Sequence, residues 1–480
     1  MRENQVSKHA LLLSVPAYDL QAVGQAYRQA LAGMNRKIVV LDDDPTGVQT
    51  VHDVYVYTDW TYESIREGFT SPEPIFFILT NSRGFSREET VRVHREIARN
   101  IARAARTTGK EFMVISRSDS TLRGHYPAET ETLRETLEAE TDIRFDGEIV
   151  TPFFPEGGRL TANDVHYVAY GDQLMPCGQT EYADDKTFGY KSSNLREWIA
   201  EKYDGRVGAD SVASVSLAML RSMDIRAITG LLKGVTGFGK VVVNALTYED
   251  MQVFVAALIA SVNSGKSFLF RSAAALTKVM GGVEDRDLLT RDELVNTKNQ
   301  NGGLILVGSH VKRTTEQLNK LKDAPFIRFI EFDQHLALDD EKLQAEQARV
   351  VNLANEYISA GQTVAVYTRR DRMDLGTGDK SAELHLSKKI SAAVTGIVYR
   401  LSVRPNFIIA KGGITSSDVG TQGLQVRKAL VMGQILKGVP VWLTGPESRF
   451  PGMPYVIFPG NVGDENALLE AVLKIHPGLK

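Results

Sequence analysis

Cysteine is almost missing from this chain. Cys177 is the single one in 480 residues, which excludes an intrachain disulfide and any cysteine-based zinc site and fits a reducing compartment. A surplus of cations is missing too. Lys and Arg number 56 against 59 Asp and Glu, a formal net charge of −3, and binding a phosphate backbone needs a clustered excess of Lys and Arg. A small anion needs only a few local cations. No apolar stretch approaches the length that spans a bilayer, and Met1-Arg2-Glu3-Asn4-Gln5 lacks the layout of a signal peptide, although Ala10-Leu11-Leu12-Leu13 is briefly apolar. A cytoplasmic protein with neither a membrane nor a nucleic-acid partner is expected. No internal repeat or low-complexity tract stands out.

What is present is a globular composition, 43% apolar and 24% charged, over a length that exceeds one ordinary core. Between residues 283 and 302 the chain turns polar and charged, with Asn296, Asn299, Asn301 and Gly302 close together, and reads as a linker. Three segments are expected: an amphipathic helical extension over 1–35, where Leu20, Val23, Tyr27 and Leu31 lie three or four apart, a first domain over 36–295 and a second over 296–480. Short apolar runs alternate with helical patterns in both domains, at 37–41, 75–79, 112–115, 240–245 and 268–270, then at 303–307, 363–367, 406–410, 439–442 and 455–458. That alternation predicts an α/β fold of two lobes with mainly parallel sheets. Residues 170–210 lack strong periodicity and read as a lid or meander.

In an open parallel sheet, ligands bind where the strands end. The run 37–41 ends in Asp42-Asp43-Asp44-Pro45-Thr46-Gly47. Three adjacent carboxylates raise one another's pKa unless a cation, a metal or a proton is shared, so Asp42, Asp43 and Asp44 are candidate catalytic residues, though a surface turn can also be acidic. The next two runs end in Thr80-Asn81-Ser82-Arg83-Gly84-Phe85 and in Ser116-Arg117-Ser118-Asp119-Ser120-Thr121-Leu122-Arg123-Gly124-His125. Arg83, Arg117 and Arg123 offer the planar fork that pairs with a carboxylate, while Ser118, Asp119, Ser120 and Thr121 can bond hydroxyls. A polyhydroxy acid would suit this lining; the alternative is a solvated loop in which the arginines offset acidic neighbours.

In the second domain the run 406–410 leads into Lys411-Gly412-Gly413-Ile414-Thr415-Ser416-Ser417-Asp418. Glycines there permit positive φ and close approach of a ligand, residues 415–418 are expected to cap the following helix, and its free N–H groups suit a phosphate. Gly308-Ser309-His310 and Pro459-Gly460-Asn461-Val462-Gly463 end two other runs, and three such ends in one lobe look like a nucleotide pocket. The stretch from Ala260 to Ser267, one residue from a P-loop, has a helical pattern before it and a strand after it, so a structural turn is expected.

Taken in order, Asp43-Asp44-Pro45-Thr46-Gly47, Asn81-Ser82-Arg83, residues 118–124, Gly308-Ser309, residues 411–416 and residues 459–463 resemble the motifs of the four-carbon acid-sugar kinases, the family that includes D-threonate and D-erythronate kinases. The resemblance covers most of the chain. It implies a sugar-acid lobe followed by an ATP lobe, with the active site in the cleft between them. The acid would lie against Asp43 or Asp44, Arg83 and residues 118–121, with Arg123 a second candidate for its carboxylate. ATP, with Mg²⁺ bridging its phosphates, would lie against Ser309, Lys411, Gly412, Gly413, Ile414, Thr415, Gly460, Asn461 and Gly463. The extension over 1–35, the third carboxylate Asp42, and Pro45 followed by Val48-Gln49-Thr50 depart from the pattern, and the particular acid stays open.

The expected reaction is transfer of the γ-phosphoryl group to a sugar-acid hydroxyl that one of Asp42, Asp43 and Asp44 orients or deprotonates. Two rival readings remain. The run 39–46 also fits the opening of a haloacid-dehalogenase-type aspartyl phosphatase, with Asp42 as nucleophile and Asp464-Glu465 as its distant acidic pair. A non-catalytic sensor that closes on a sugar acid is the other. A homo-oligomer is compatible with the N-terminal extension.

Overall fold

The computed structural model describes residues 4–371, 373, 380–460 and 462–478. The chain forms two compact units, one of residues 1–51 and 59–285, the other of residues 52–58 and 286–480. Both are α/β, and both are built on mainly parallel strands.

In the first unit the strands run in the order Ala213–Val215, Gly239–Val243, Gly147–Thr151, Phe268–Ser272, Phe112–Arg117, Lys37–Asp42, Ile75–Leu79, every neighbouring pair parallel. Continuous apolar runs suit strands covered on both faces, and Ile38, Val39 and Val40 are wholly buried. Asp42 pairs in register with Leu79 on one side and Arg117 on the other, and Arg117 with Ser272, so the loops that follow leave from one edge. The helix Arg87–Thr108 shows how the covering layer is specified. Ser86 caps it by accepting the Glu89 N–H, Val93, Ile97 and Ile101 form its buried stripe, and Gly109, at φ 65°, ends it.

The N-terminal helix Leu20–Ala32 belongs to the same unit, where Tyr18 donates to Asp250 at 2.8 Å and Tyr27 to the Val279 carbonyl at 2.7 Å. A small antiparallel sheet, Val6–Ser7, Gln173–Pro176, Val165–Tyr170, Arg159–Ala162, was not anticipated, and part of it occupies the segment read as a lid or meander. Residues 264–267 form the turn expected between the helix Tyr248–Asn263 and the strand Phe268–Ser272.

In the second unit, Pro454–Phe458, Ile408–Lys411, Leu304–Val307, Thr363–Thr368 and Ile327–Phe332 are parallel neighbours in that order. Val439–Thr444, Lys428–Leu436 and Val54–Tyr57 extend them antiparallel. Val307 pairs with Lys411 and Lys411 with Phe458, which places Gly308, Gly412 and Pro459 side by side at the strand ends. Leu468, Val472 and Ile475 of the helix Ala467–Ile475 complete the core beside Ile305, Ile409 and Val456.

Candidate active site

Backbone bonds fix where each loop leaves the first unit's sheet. Thr80 donates both its N–H and its hydroxyl to the Asp42 carbonyl, at 2.8 and 2.9 Å, and the Ser118 N–H reaches the Ser272 carbonyl at 2.9 Å. The three carboxylates then meet different partners. Asp42 Oδ1 accepts from Arg117 Nη1 at 3.0 Å and from the Asp44 N–H at 3.2 Å. Burial, with Asp43 and Asp44 adding to it against the pull of Arg117, pushes the Asp42 carboxyl up to about 7. A Cβ at position 47 would overlap that carboxylate, which accounts for Gly47.

Asp43 is gripped by the fork of Arg83, Nε to Oδ2 at 3.1 Å and Nη2 to Oδ1 at 2.6 Å, with Arg117 Nη1 3.3 Å from Oδ1. Burial nevertheless raises its pKa. At Asp44 burial is outweighed by Arg83, whose Nη1 stands 3.4 Å away, and by the Thr46 hydroxyl and N–H at 2.5 and 2.8 Å, so this carboxyl is held below the usual range. The side chains of Asp44, Arg83 and Arg123 are 21%, 22% and 26% exposed, whereas Asp42, Asp43 and Arg117 lie beneath them at 5% or less.

Asp119 accepts from Arg123 Nε at 2.7 Å and from the Thr121 hydroxyl. Burial there is overcome by Arg83 and Arg123, which keep the carboxyl well below its usual range. Arg123 also faces Asp185 at 3.7 Å and the Tyr182 ring at 5.1 Å. Ser118 donates to Glu129 at 3.3 Å, and so does Ser82 at 2.8 Å. Gly124 lies against the same group, since a Cβ there would be 3.8 Å from both Asp43 Oδ2 and Ser118 Cβ. The first unit thus brings its sequence-predicted residues together, but Ser118 and Thr121 are buried and bonded to carboxylates of the protein. Glu129, which anchors two of the loops, carries no motif signal, and neither do Asp185 and Tyr182.

In the second unit Gly308, Ser309, Gly412, Gly413, Ile414 and Thr415 line a cavity of about 250 Å³, faced by Leu386, Ile390 and Val394 of the helix Lys380–Arg400. A Cβ at Gly308 would overlap the Thr415 hydroxyl, and one at Gly412, where φ is 119°, would stand 2.9 Å from Ser309 Cβ. Side-chain-free backbone is therefore a steric requirement of this cradle. The helix N-cap is Gly412 and no side chain caps it. Residues 415–418, expected as caps, lie inside the helix Gly413–Asp418, where Ser416 turns back to the Ala410 carbonyl at 2.7 Å and Asp418 accepts from Ser391 at 2.6 Å.

Lys411 is buried. Its ammonium donates to the carbonyls of Pro459 and Gly460, at 2.6 and 3.2 Å, and burial lowers its pKa to about 7. Gly460 lies beside Ser309, Gly463 makes a turn at φ 80°, and Asn461 lies outside the described residues. Among the described residues no group of three or more His, Cys, Asp or Glu side chains is arranged to hold a metal ion, and no helix is long and apolar enough to cross a membrane. A larger cavity of about 580 Å³ opens in the first unit at the amino ends of Phe112–Arg117 and Phe268–Ser272, away from the edge that carries Asp42.

Comparison with known proteins agrees with this division. Residues 38–280 match the family model of a sugar-binding N-terminal domain, and residues 304–468 that of a nucleotide-binding C-terminal domain. The chain belongs to the four-carbon acid sugar kinase family. Among solved structures, the Haemophilus influenzae protein HI1011 aligns with a TM-score of 0.59 at 18% identity, over 91% of this chain and 100% of its own. A Salmonella typhimurium LT2 protein provisionally called a tRNA synthase aligns with a TM-score of 0.64 at 16% identity, over 91% and 98%. These likenesses are likenesses of fold. A search of curated proteins finds no match.

Proposed function

We propose that this protein is an ATP-dependent kinase that phosphorylates a hydroxyl of a four-carbon sugar acid. The observation that carries the reading is the rim of the first unit's site, where the ionised carboxylate of Asp44, the most exposed of the three aspartates, stands with Arg83 and Arg123 above a layer of buried, paired charges. Asp44 is placed to orient or deprotonate the acceptor hydroxyl, a role typically worth about 10²- to 10⁴-fold in rate. Arg123, with Nη1 only loosely engaged by Asp185 at 3.7 Å, is the better placed arginine for the substrate carboxylate, since Asp43 occupies the fork of Arg83.

The glycine cradle of the second unit fits a nucleotide. Gly308 and Gly412 keep side chains out of the way of phosphate oxygens, Ser309 and Thr415 bring hydroxyls to them, and Leu386, Ile390 and Val394 give the cavity an apolar wall suited to a base. Mg²⁺ would be held through the phosphates of ATP and would neutralise charge during transfer. An ATP-consumption screen over four-carbon sugar acids tests the proposal. Consumption that depends on one acid is the expected result; ATP left intact with every acid, or phosphate released without ATP, would reject it.

A further inference from the structure

The loop over 119–123 is held from behind by three side chains that no motif marks. Arg271, fully buried on the strand Phe268–Ser272, donates Nη2 to the carbonyls of Asp119 and Arg123 at 3.0 and 3.1 Å. His166, on the strand Val165–Tyr170, meets the Ser120 carbonyl through Nε2 at 2.8 Å, while its Nδ1 meets the Thr161 hydroxyl at 2.9 Å. That arrangement requires the Nε2–H tautomer, with Thr161 as the donor to Nδ1. Tyr190 donates its hydroxyl to the Thr121 carbonyl at 2.7 Å. The carbonyls of Asp119, Ser120, Thr121 and Arg123 are thus all taken up by buried groups, from positions 46 to 152 residues away in the chain.

Two features argue that these bonds do more than fill the core. Leu122 sits at φ 69°, a conformation that residues with a side chain adopt at a cost, so the loop needs outside support to keep its shape. Arg271 is a buried cation, and among the described residues it has no carboxylate in ion-pair distance and its Nε and Nη1 have no hydrogen-bond partner. An apolar residue would pack at such a strand position without the penalty of burying a charge. What the guanidinium provides instead is two donors, aimed at both ends of the loop that carries Asp119 and Arg123.

We infer that Arg271, His166 and Tyr190 are positioning residues for the sugar-acid site. They turn the carbonyls of residues 119–123 inward and thereby present the Asp119 and Arg123 side chains to the substrate. The identity of that substrate rests on the proposed function; the holding of the loop does not. The variants Tyr190→Phe, His166→Phe and Arg271→Met, with His166→Gln and Arg271→Lys as conservative partners that retain a donor, allow both to be examined.

Hydrogen exchange of the peptide over 118–124 reads the loop without any ligand. It should accelerate about tenfold in Tyr190→Phe and His166→Phe, in line with one lost hydrogen bond to the loop, and by more in Arg271→Met, which loses two, while the Lys37–Asp42 strand stays protected. In steady-state kinetics the KM for the sugar acid should rise about tenfold with the KM for ATP unchanged, and the conservative variants should recover part of the difference. Loss of folding alone would lower the active fraction and leave both KM values where they were. Unchanged exchange at 118–124, or KM values that move together, overturns the inference. A wild-type protein that consumes no ATP with any acid would reject the proposed function, and the exchange measurement would still decide whether the loop is held in this way.

Discussion

Arg83 holds Asp43 in a two-pronged ion pair, with bonds of 2.6 and 3.1 Å, and the same guanidinium stands 3.4 Å from Asp44. One arginine therefore ties a buried carboxylate to an open one. Against the cost of burial, Asp43, Asp44 and Asp119 keep that guanidinium charged. Replacing it by an apolar side chain removes the main partner of a carboxylate that is only 3% exposed.

Arg83→Met should accordingly destabilise the protein by about 2–4 kcal/mol at pH 8, the range for breaking a largely buried pair with some allowance for the exposure of Arg83. At pH 5 the loss should be smaller, because an unpaired Asp43 can take up a proton. Urea denaturation of wild type and variant at the two pH values measures the difference, and an equal loss at both would show that Asp43 does not depend on this cation.

Asp42 makes a pH prediction of its own. Its folded-state pKa of about 7 lies above that of an unfolded aspartate, about 4, so between these values the folded protein binds a proton that the unfolded chain has released. The contribution of Asp42 to stability therefore falls as pH rises from 4 to 7, and its penalty is nearly complete above 7, amounting to a few kcal/mol at most. Asp42→Asn removes this titration. Relative to wild type, the variant should gain stability as the pH is raised from 5 to 7 and level off above that, as read by denaturation curves from pH 5 to 8.

At the other site, Gly412→Ala forces a Cβ into a backbone at φ 119° and to within 2.9 Å of Ser309 Cβ. The strain alone is worth about 1–2 kcal/mol, and relief by moving residues 412–415 would distort the cradle. Calorimetric titration should find nucleotide affinity lowered by about tenfold or more, which corresponds to that energy. Binding of sugar acid to the first unit should be unaffected, and an unchanged nucleotide affinity would remove Gly412 from the site.

The features that sequence made legible are those in which local chemistry and tertiary role coincide. Ile38, Val39 and Val40 read as a strand because both faces are covered, and Asp42 to Asp44, Arg83, Gly308 and Gly412 read as a site because they follow such strands directly. Roles that depend on distant partners were not legible. Three consecutive aspartates look alike in a sequence, yet burial pushes the pKa of Asp42 and Asp43 up against Arg117 and Arg83, while Arg83 and Thr46 hold that of Asp44 down. Residues 415–418 read as helix caps because Ser and Thr usually serve there, but Gly412 at positive φ starts the helix earlier. Arg271, His166 and Tyr190 act on main-chain carbonyls, which leave no trace in the letters of the loop they hold.

The division among the aspartates leads to the most discriminating test of the chemistry. Asp42 is sealed beneath Arg117 and the Asp44 N–H, and Asp43 is enclosed by two guanidinium groups, so neither can reach an acceptor hydroxyl without breaking a buried ion pair. Asp44 needs no such rearrangement, and its depressed pKa keeps it ionised throughout the neutral range. Asp44→Asn should therefore lower kcat by about 10²- to 10⁴-fold with ATP affinity unchanged and little loss of stability, because the amide oxygen still accepts from Thr46. Asp43→Asn should behave differently, losing stability because Arg83 and Arg117 are left facing a neutral group. Turnover measured beside denaturation curves separates the two effects. Full activity in Asp44→Asn, with activity lost in a folded Asp43→Asn, would move the acceptor hydroxyl one residue back along the loop.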